Sequence, residues 1–580
     1  MCTIITTFNE NQPQYLRAMA EASQHRGPDS LEVWHNERHG AAACRLTIFG
    51  NPHAPMIYHD PYSGRTVLFN GEIYNYADLW NQLNKTGVTA HTDLEAELIA
   101  RLFDLYGEAF AEKLQGMFAI VILDDSSLVL ARDRFGIKPL YYMHLGKRIL
   151  VSSEIKGILA HPEVTTVLDL SALRETRVFG YVISMDRTFF KNIRQVEPGH
   201  VITIGGVGQK HVFSFGKTPK ARYLNGHSKP DYQELVKTTR HMILKAAEAM
   251  FAHGNMDKGI FLSGGVDSST IALAARLHNG KRVQTFTLAD SDDTPDLLAA
   301  RQVARALKTD HHEYRVTTKD YWHWLPDYVA HFEGLMAGGI FHIQGGLAFH
   351  ILSSFISQQV KVAFSGEGAD ELFGGYYWIY THPLGFSDRI RNNLLAIQND
   401  PNLSSVVDDL FPEPEDEGVY RKNLFDFLLQ GGLSNYHLQS VDRSAGAFGM
   451  EIRPFYLDDN LSQWAMNLPI EYKVPDKKTT KKILKDAFRQ DFMELGLETV
   501  LTRQKMGMPS ALSTIDRAIN EAVDRAITAE ELAGHTYGGI LGSKMNLLLF
   551  DLFEHIFFKD WDHHSKEPPH DSFLARVWQR

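Results

Sequence analysis

Near residue 215 the hydrophobic rhythm of this chain changes, and that change limits the folds open to it. Before it lie short β-rich runs separated by turns, among them "CTIITTF", "TVLFNGEIY", "MFAIVILDD", "SLVLARD", "RILVSSE" and "HVITIGG". Repeated short strands of this kind predict packed antiparallel sheets. One interruption, "DLEAELIARLFDLYG", has apolar residues three and four apart, the spacing of a helix with one buried face. After residue 232 strands and helices alternate: "GIFL", "DSSTIALAARLH", "RVQTFTL", "PDLLAARQVARAL", "HHEYRV" and later "VKVAF". Such alternation predicts a parallel sheet with crossover helices. From about residue 380 the pattern is mainly helical, with an acidic "PEPEDEG" loop.

The expected fold is therefore α/β in two domains, residues 1–215 and 233–580, joined by a Gly-, Pro-, Lys- and Asn-rich linker over 216–232. A chain of 580 residues needs such a division, because single cores stop growing at roughly 250 to 300 residues. A hydrophobic content of 44% with 22% charged residues fits packed domains rather than disorder. The net charge of -11 argues against nucleic acid as the main partner, which takes clustered Lys and Arg. No run approaches the ~18 apolar residues of a membrane helix, and no basic segment followed by an apolar stretch marks a signal peptide. The only cysteines, Cys2 and Cys44, form no disulfide framework or zinc spacing, so a cytoplasmic location is expected. His555, His563 and His564 lack acidic or cysteine partners at ligand spacing, so no metal is assigned to them.

On position alone Cys2 reads as a small residue buried on a terminal strand. Its company supports another reading. A nucleophile at the first mature residue can use its own α-amine, with a pKa of about 7.7 to 8.0, as base. Cys2 qualifies once Met1 is removed. Thiolate attack on a carboxamide builds an oxyanion, which a side-chain amide and a neighbouring glycine N–H can hold. Asn70 and Gly71 in "FNGEIYN" are such a pair. An amino-acid substrate also wants a cation and an anion for its two charged ends, roles suited to Arg45 in "RLTIF" and Asp93 in "HTDLE". Cys44, inside "AAACRL", reads as a core residue. In the second half, "GIFLSGGVDSST" runs from an apolar strand through a glycine-rich turn into a helix, so its backbone N–H groups can cradle phosphate. It lacks the Gly-Lys-Ser/Thr ending of a Walker loop.

In order along the first half, "MC", "HRGPD", "RLTIF", "NGEIYN", "TD", "LQGMFA" and "ARDRFGIKPLYY" resemble the glutaminase domain of class II glutamine amidotransferases. "SGGVDSS" and "FSGEGADELFGGYY" are similar to the nucleotide loops of ATP pyrophosphatases, and the whole chain resembles the asparagine synthetase family. "SVDRSAGAFGMEIRPFYLD" and "RQKMGMP" also follow that family. The resemblance implies an N-terminal-nucleophile hydrolase αββα sandwich, followed by a doubly wound parallel-sheet domain with a helical C-terminal part. It implies Cys2 as nucleophile, Asn70 and Gly71 as oxyanion hole, and Arg45, Asn70, Gly71, Glu72 and Asp93 as glutamine contacts. For ATP it implies Leu262, Ser263, Gly264, Gly265, Asp267, Ser268, Leu288, Ser365 and Gly366. Mg²⁺ would take Asp267 and Asp370, with Glu367 and Lys481 catalytic and Lys485 standing where the family has arginine.

The activity so implied is a ligase using glutamine as nitrogen donor. Glutamine is hydrolysed at Cys2, and its ammonia passes to an acyl-adenylate made from ATP and a carboxylate, with release of AMP and pyrophosphate. The partners expected are these small molecules and a second copy of the chain in a homodimer. The acceptor stays open between aspartate and a different carboxylate. In "EGLMAGGIFHIQGG" Gly338 and Phe341 stand where the family carries a threonine and an arginine associated with aspartate. Losing a guanidinium removes a bidentate carboxylate partner. The alternatives are intramolecular ring closure of the β-lactam synthetase type and a non-catalytic homologue.

Overall fold

The computed structural model describes residues 2–48, 54–205, 208–216, 231–252, 257–279, 282–335, 343–376, 383–398, 400–411, 427–476, 478–504, 512–559 and 567–578. Gly338, Phe341, His563, His564, the "PEPEDEG" loop and most of the 216–232 linker lie outside the described residues.

Two six-stranded antiparallel sheets build the first half. One runs Ile193–Gln195, Tyr141–Leu145, Arg148–Ser152, Cys2–Phe8, Gly40–Arg45, Ser30–His35, and the other runs Lys210–Ser214, His200–Gly205, Ser127–Arg132, Gly116–Leu123, Thr66–Ile73, Ile57–His59. Side chains alternate across a strand, and both faces of these strands are covered. Ile4, Phe8, Ala41 and Ala43 of the first sheet meet Leu68, Ala119, Val121 and Leu130 of the second. On the outer face of the first sheet, Ile5, Ala42 and Cys44 share a cluster with Leu16, Met19 and Ala20 of the helix Pro13–Glu21. On the outer face of the second, Val67, Ile120 and Val129 share one with Leu98, Ile99 and Leu102 of Glu95–Tyr106. The layers are thus helix, sheet, sheet, helix. Burial on both faces explains why "MFAIVIL" reads as a continuous apolar run rather than an alternating one.

A five-stranded parallel sheet organises the second half, in the order Asp310–Arg315, Gln284–Ala289, Lys258–Phe261, Val362–Ser365, Glu451–Pro454. In chain order this reads 3-2-1-4-5, a doubly wound sheet. Its direction of winding reverses between Lys258–Phe261 and Val362–Ser365, where such sheets open a crevice at the carboxyl ends of the strands. The last strand lies in the region expected to be helical. At four residues it is too short to leave a periodic signal. The crossover helix Pro295–Leu307 shows why these elements form. Proline opens it in the first turn, and Leu297, Ala300, Val303, Ala304 and Leu307 make one buried face. Lys308, in the left-handed region, ends it.

The two halves share one apolar core. It runs from Ile5 and Cys44 through Met117, Ile137 and Tyr141 to Leu433, Tyr436 and Phe553. Fully buried ions lie within that junction. Arg26 reaches Asp442 at 2.8 Å and Glu154 at 3.0 Å, and Arg443 reaches Glu154 at 2.9 Å and Glu333 at 3.0 Å. Glu333 also accepts the backbone N–H groups of Ile155 (2.8 Å) and Lys156 (2.7 Å). Removing one partner of a buried pair typically costs about 3–5 kcal/mol, because it strands the other charge. Among the described residues no helix is long and apolar enough to cross a membrane.

Candidate active sites

Sheet register assembles the first site. Cys2 pairs directly with Arg45 across the ladder, and Asn70 and Gly71 come from the neighbouring sheet. The backbone nitrogen of Cys2 donates to Asn70 Oδ1 at 2.9 Å. Asn70 is fully buried, and its Nδ2 has no hydrogen-bond partner among the described residues. An orphaned buried donor beside a thiol is costly unless a ligand oxygen comes to meet it. Gly71 is needed for space: its φ is +152°, and a Cβ there would lie 1.9 Å from the Met117 carbonyl oxygen.

Cys2, Arg45, Gly71, Glu72 and Asp93 all line one pocket of about 150 Å³. Its geometry adds residues that no sequence argument singled out. Glu95 also lines it, accepts the Ile73 N–H at 2.9 Å, and is held well above the usual carboxylate range by burial and then by Glu72. Glu97, fully buried, accepts the N–H groups of His91 and Thr92 and the Thr92 hydroxyl, fixing the loop that carries Asp93. Glu72 has a second engagement: its carboxylate pairs with Arg453 at 2.9 Å, so this pocket wall is tied to the second half. Cys44 packs in the core with its thiol toward the Ala20 carbonyl, and burial pushes its pKa up to about 12.

At the reversal of the parallel sheet, two loops face each other. The turn after Lys258–Phe261 leads into the helix Val266–Asn279, whose first turn contains Asp267 and Ser268. Ser263 N–H donates to Ser268 Oγ at 3.1 Å, and Gly264, at φ +70°, packs so closely on Ala299 and Ala300 that a Cβ would meet their backbone at 2.4 Å. Two residues assigned no role from the sequence fasten this turn. Tyr456 donates to the Asp267 carbonyl at 3.0 Å, and Arg503 donates to the Ser263 carbonyl at 3.0 Å while pairing with Asp296. Leu262 and Leu288 are buried behind it.

The turn after Val362–Ser365 supplies Gly366, Glu367 and Asp370. The Lys481 ammonium bridges Asp267 and Asp370. Lys481 is buried and its backbone is in the left-handed region, φ +54°, an uncommon conformation for a side-chain-bearing residue. Gly375 makes room for this cluster, since a Cβ would fall 1.7 Å from Asp370 Oδ1. Two hard carboxylates converging on one positive charge beside a phosphate-type loop form a donor set that fits Mg²⁺. Burial, opposed by the Ser365 hydroxyl and His437, raises the pKa of Glu367, whose Oε2 has no hydrogen-bond partner among the described residues. Lys485 lies beside Lys481, and burial lowers its pKa.

A third grouping, His25, Glu154 and His331, has the spacing of metal ligands. Its centre is already filled. The Lys156 ammonium lies 2.9 Å from Glu154 Oε2 and 3.0 Å from His331 Nδ1. His555 contacts the backbone carbonyl of Asp551, one turn earlier on its own helix Lys544–Phe558, at 2.8 Å and Asp571, ahead of the helix Phe573–Trp578, at 3.4 Å.

A family model described as glutamine amidotransferase domain matches residues 1–213, and one described as asparagine synthase matches residues 242–540. The chain is 28% identical over 575 residues to asparagine synthetase [glutamine-hydrolyzing] 1 of Bacillus subtilis (strain 168), covering 88% of this chain and 87% of the relative. It is 28% identical over 542 residues to asparagine synthetase [glutamine-hydrolyzing] of Triphysaria versicolor, covering 87% and 77%. With the second model spanning more than half its length, this chain belongs to the asparagine synthase family and carries a glutamine amidotransferase domain ahead of the synthase domain.

Proposed function

We propose that this ATP-dependent ligase makes an amide by joining two reactions. The observation that carries the reading is the orphaned Asn70 Nδ2 beside Cys2, in the same chain as the Asp267–Lys481–Asp370 cluster at the sheet's switch point. At the first site the Cys2 thiolate attacks the glutamine carboxamide. The oxyanion is taken by Asn70 Nδ2 and the Gly71 N–H, the C–N bond breaks, and ammonia leaves with a proton from the α-amine of Cys2. That amine exists once Met1 is removed, and Asn70 Oδ1 already fixes its nitrogen. Arg45 and Asp93 hold the charged ends of the substrate. Water then releases glutamate from the thioester.

At the second site Ser263, Gly264, Gly265, Ser268, Ser365 and Gly366 line the ATP seat, and Lys481 stabilises the charge that grows on departing pyrophosphate. Mg²⁺, held by Asp267 and Asp370, would neutralise the polyphosphate when bound. The acceptor carboxylate becomes an acyl-adenylate, and ammonia converts it to an amide with release of AMP. A small pocket of about 30 Å³, lined by Tyr141, Ile155 and Gln195 of one half and Glu333, Gly334 and Asn435 of the other, supports a route for ammonia between the halves. The acceptor is aspartate or another acid, the choice turning on Gly338 and Phe341 where the family carries threonine and arginine. The test supplies glutamine, Mg-ATP and a panel of carboxylates including aspartate, and follows pyrophosphate, glutamate and amide separately. Amide from one acid, matched to pyrophosphate release, is expected. Glutamate release with no amide from any acid overturns the reading.

A further inference from the structure

Beside the nucleotide site runs a polar chain that the reaction above leaves unused. It begins in a π-helical stretch, Leu428–Leu438. Such helices are rare and gather at functional sites. This one is anchored to the first half, because Asn435 Nδ2 donates to the Val182 carbonyl at 2.8 Å and Asn435 Oδ1 accepts from Gln195 Nε2 at 3.0 Å. Two residues further on, His437 Nε2 lies 3.1 Å from the Tyr376 hydroxyl, which itself donates to Glu371 Oε1. Among the described residues, the titratable groups set against His437 include Tyr376, Glu371 at 3.9 Å and Glu367, with Tyr436 from its own stretch. Tyr376 follows Gly375, the residue packed against Asp370 and Lys481. The chain therefore reaches from a partly exposed imidazole to the edge of the adenylation site.

We propose that His437 is the base for amide-bond formation, accepting the proton that the nitrogen nucleophile sheds as it attacks the acyl-adenylate. This rests on the two-step reading above. The nitrogen lone pair forms the C–N bond, the acyl C–O bond breaks, and AMP leaves with that electron pair. The surplus N–H proton passes to the imidazole, which returns it to solvent through its 28% exposed side chain. These contacts hold the ring in place: Tyr376 donates to Glu371 Oε1, and its oxygen lies 3.1 Å from His437 Nε2. Tyr376 and Glu371 are thus positioning residues for the ring, while Glu367 and Lys481 serve adenylation.

The test uses the full chain with ammonium chloride as nitrogen source and, as acceptor, whichever acid of the panel supports amide formation. Exchange of labelled pyrophosphate into ATP reports adenylation, and amide reports the later step. His437→Ala should lose at least about 100-fold in amide formation, the lower end for a general base, while exchange changes less than about threefold. Its pH–rate profile should lose the acid limb, and added imidazole should restore part of the rate. Tyr376→Phe should keep that limb but move it. Equal losses of exchange and amide, or an unchanged acid limb in both His437→Ala and His437→Gln, would overturn the assignment alone. No amide from the wild type with any acid overturns the two-step reading and this inference with it.

Discussion

At the Cys2 site the reactive groups are fixed by sheet register, with Cys2 opposite Arg45 and Asn70 on a strand of the facing sheet, and the buried Asn70 Nδ2 has no hydrogen-bond partner among the described residues. At the switch point the groups come from three separate segments, and they satisfy one another: Lys481 closes a bridge between Asp267 and Asp370. The first arrangement is held by backbone ladders, the second by a cation bridging two loops. A ladder can place a buried donor because its backbone hydrogen bonds do not depend on that side chain. Loops carrying like charges repel, so a cation stands between them.

The sharpest way to separate the two sites is Cys2→Ala. Glutamine-driven amide formation should fall to background while the ammonium-driven rate holds within about twofold, since the thiol serves only as nucleophile. Equal loss with both nitrogen sources would break the division. Next in size is Lys481→Met, which leaves two carboxylates facing each other without their cation. Pyrophosphate exchange should fall about 10²–10³-fold, the range for removing one stabilising donor, with glutamate release continuing. If glutamate release stops as well, the two sites are not independent.

Arg443→Met tests the junction rather than either site. It strands Glu154 and Glu333, should cost about 3–5 kcal/mol, and should lower both activities together with the thermal midpoint. An unchanged midpoint would show that the buried ions contribute little. The smallest effect is expected at Asp459, whose carboxylate accepts the Gly116 N–H at 2.7 Å and pairs with Arg134 at 2.8 Å. Burial, partly offset by Arg134, raises its pKa to about 7. A carboxyl raised in the fold favours its protonated form, so its contribution is full below the unfolded pKa of about 4 and is lost as pH rises through 7. Stability measured against pH should therefore slope downward over that window in the wild type and lose this component in Asp459→Asn. Parallel curves would remove Asp459 from the account.

Much of this was legible in the sequence because it is local. The helix Pro295–Leu307 spans the same residues as the periodic run "PDLLAARQVARAL", and the core position of Cys44 follows from its apolar neighbours. Cys2, Arg45, Gly71, Glu72 and Asp93 meet in one pocket, as their order along the chain suggested. What stayed hidden depends on distant pairing. Arg503 reaches Ser263 across 240 positions and Tyr456 reaches Asp267 across 189, and neither separation leaves a pattern in either segment. Glu97 looked like an ordinary polar residue on a helix, and only its capture of three donors from 91–92 shows its purpose. His437 stands in a π-helical stretch, whose turn is wider than the 3.6-residue period by which helices are read.

The mutual burial of Arg26, Glu154, Glu333, Asp442 and Arg443 makes each half the other's obligatory chaperone. A fragment ending at residue 215 would present Arg26 and Glu154 amid a broad apolar face, and the remaining fragment would present Asp442, Arg443 and Glu333 likewise. Each would carry a ready-made aggregation surface. Genetic separation of glutamine use from amide synthesis is therefore expected to succeed through point substitutions and to fail through scission.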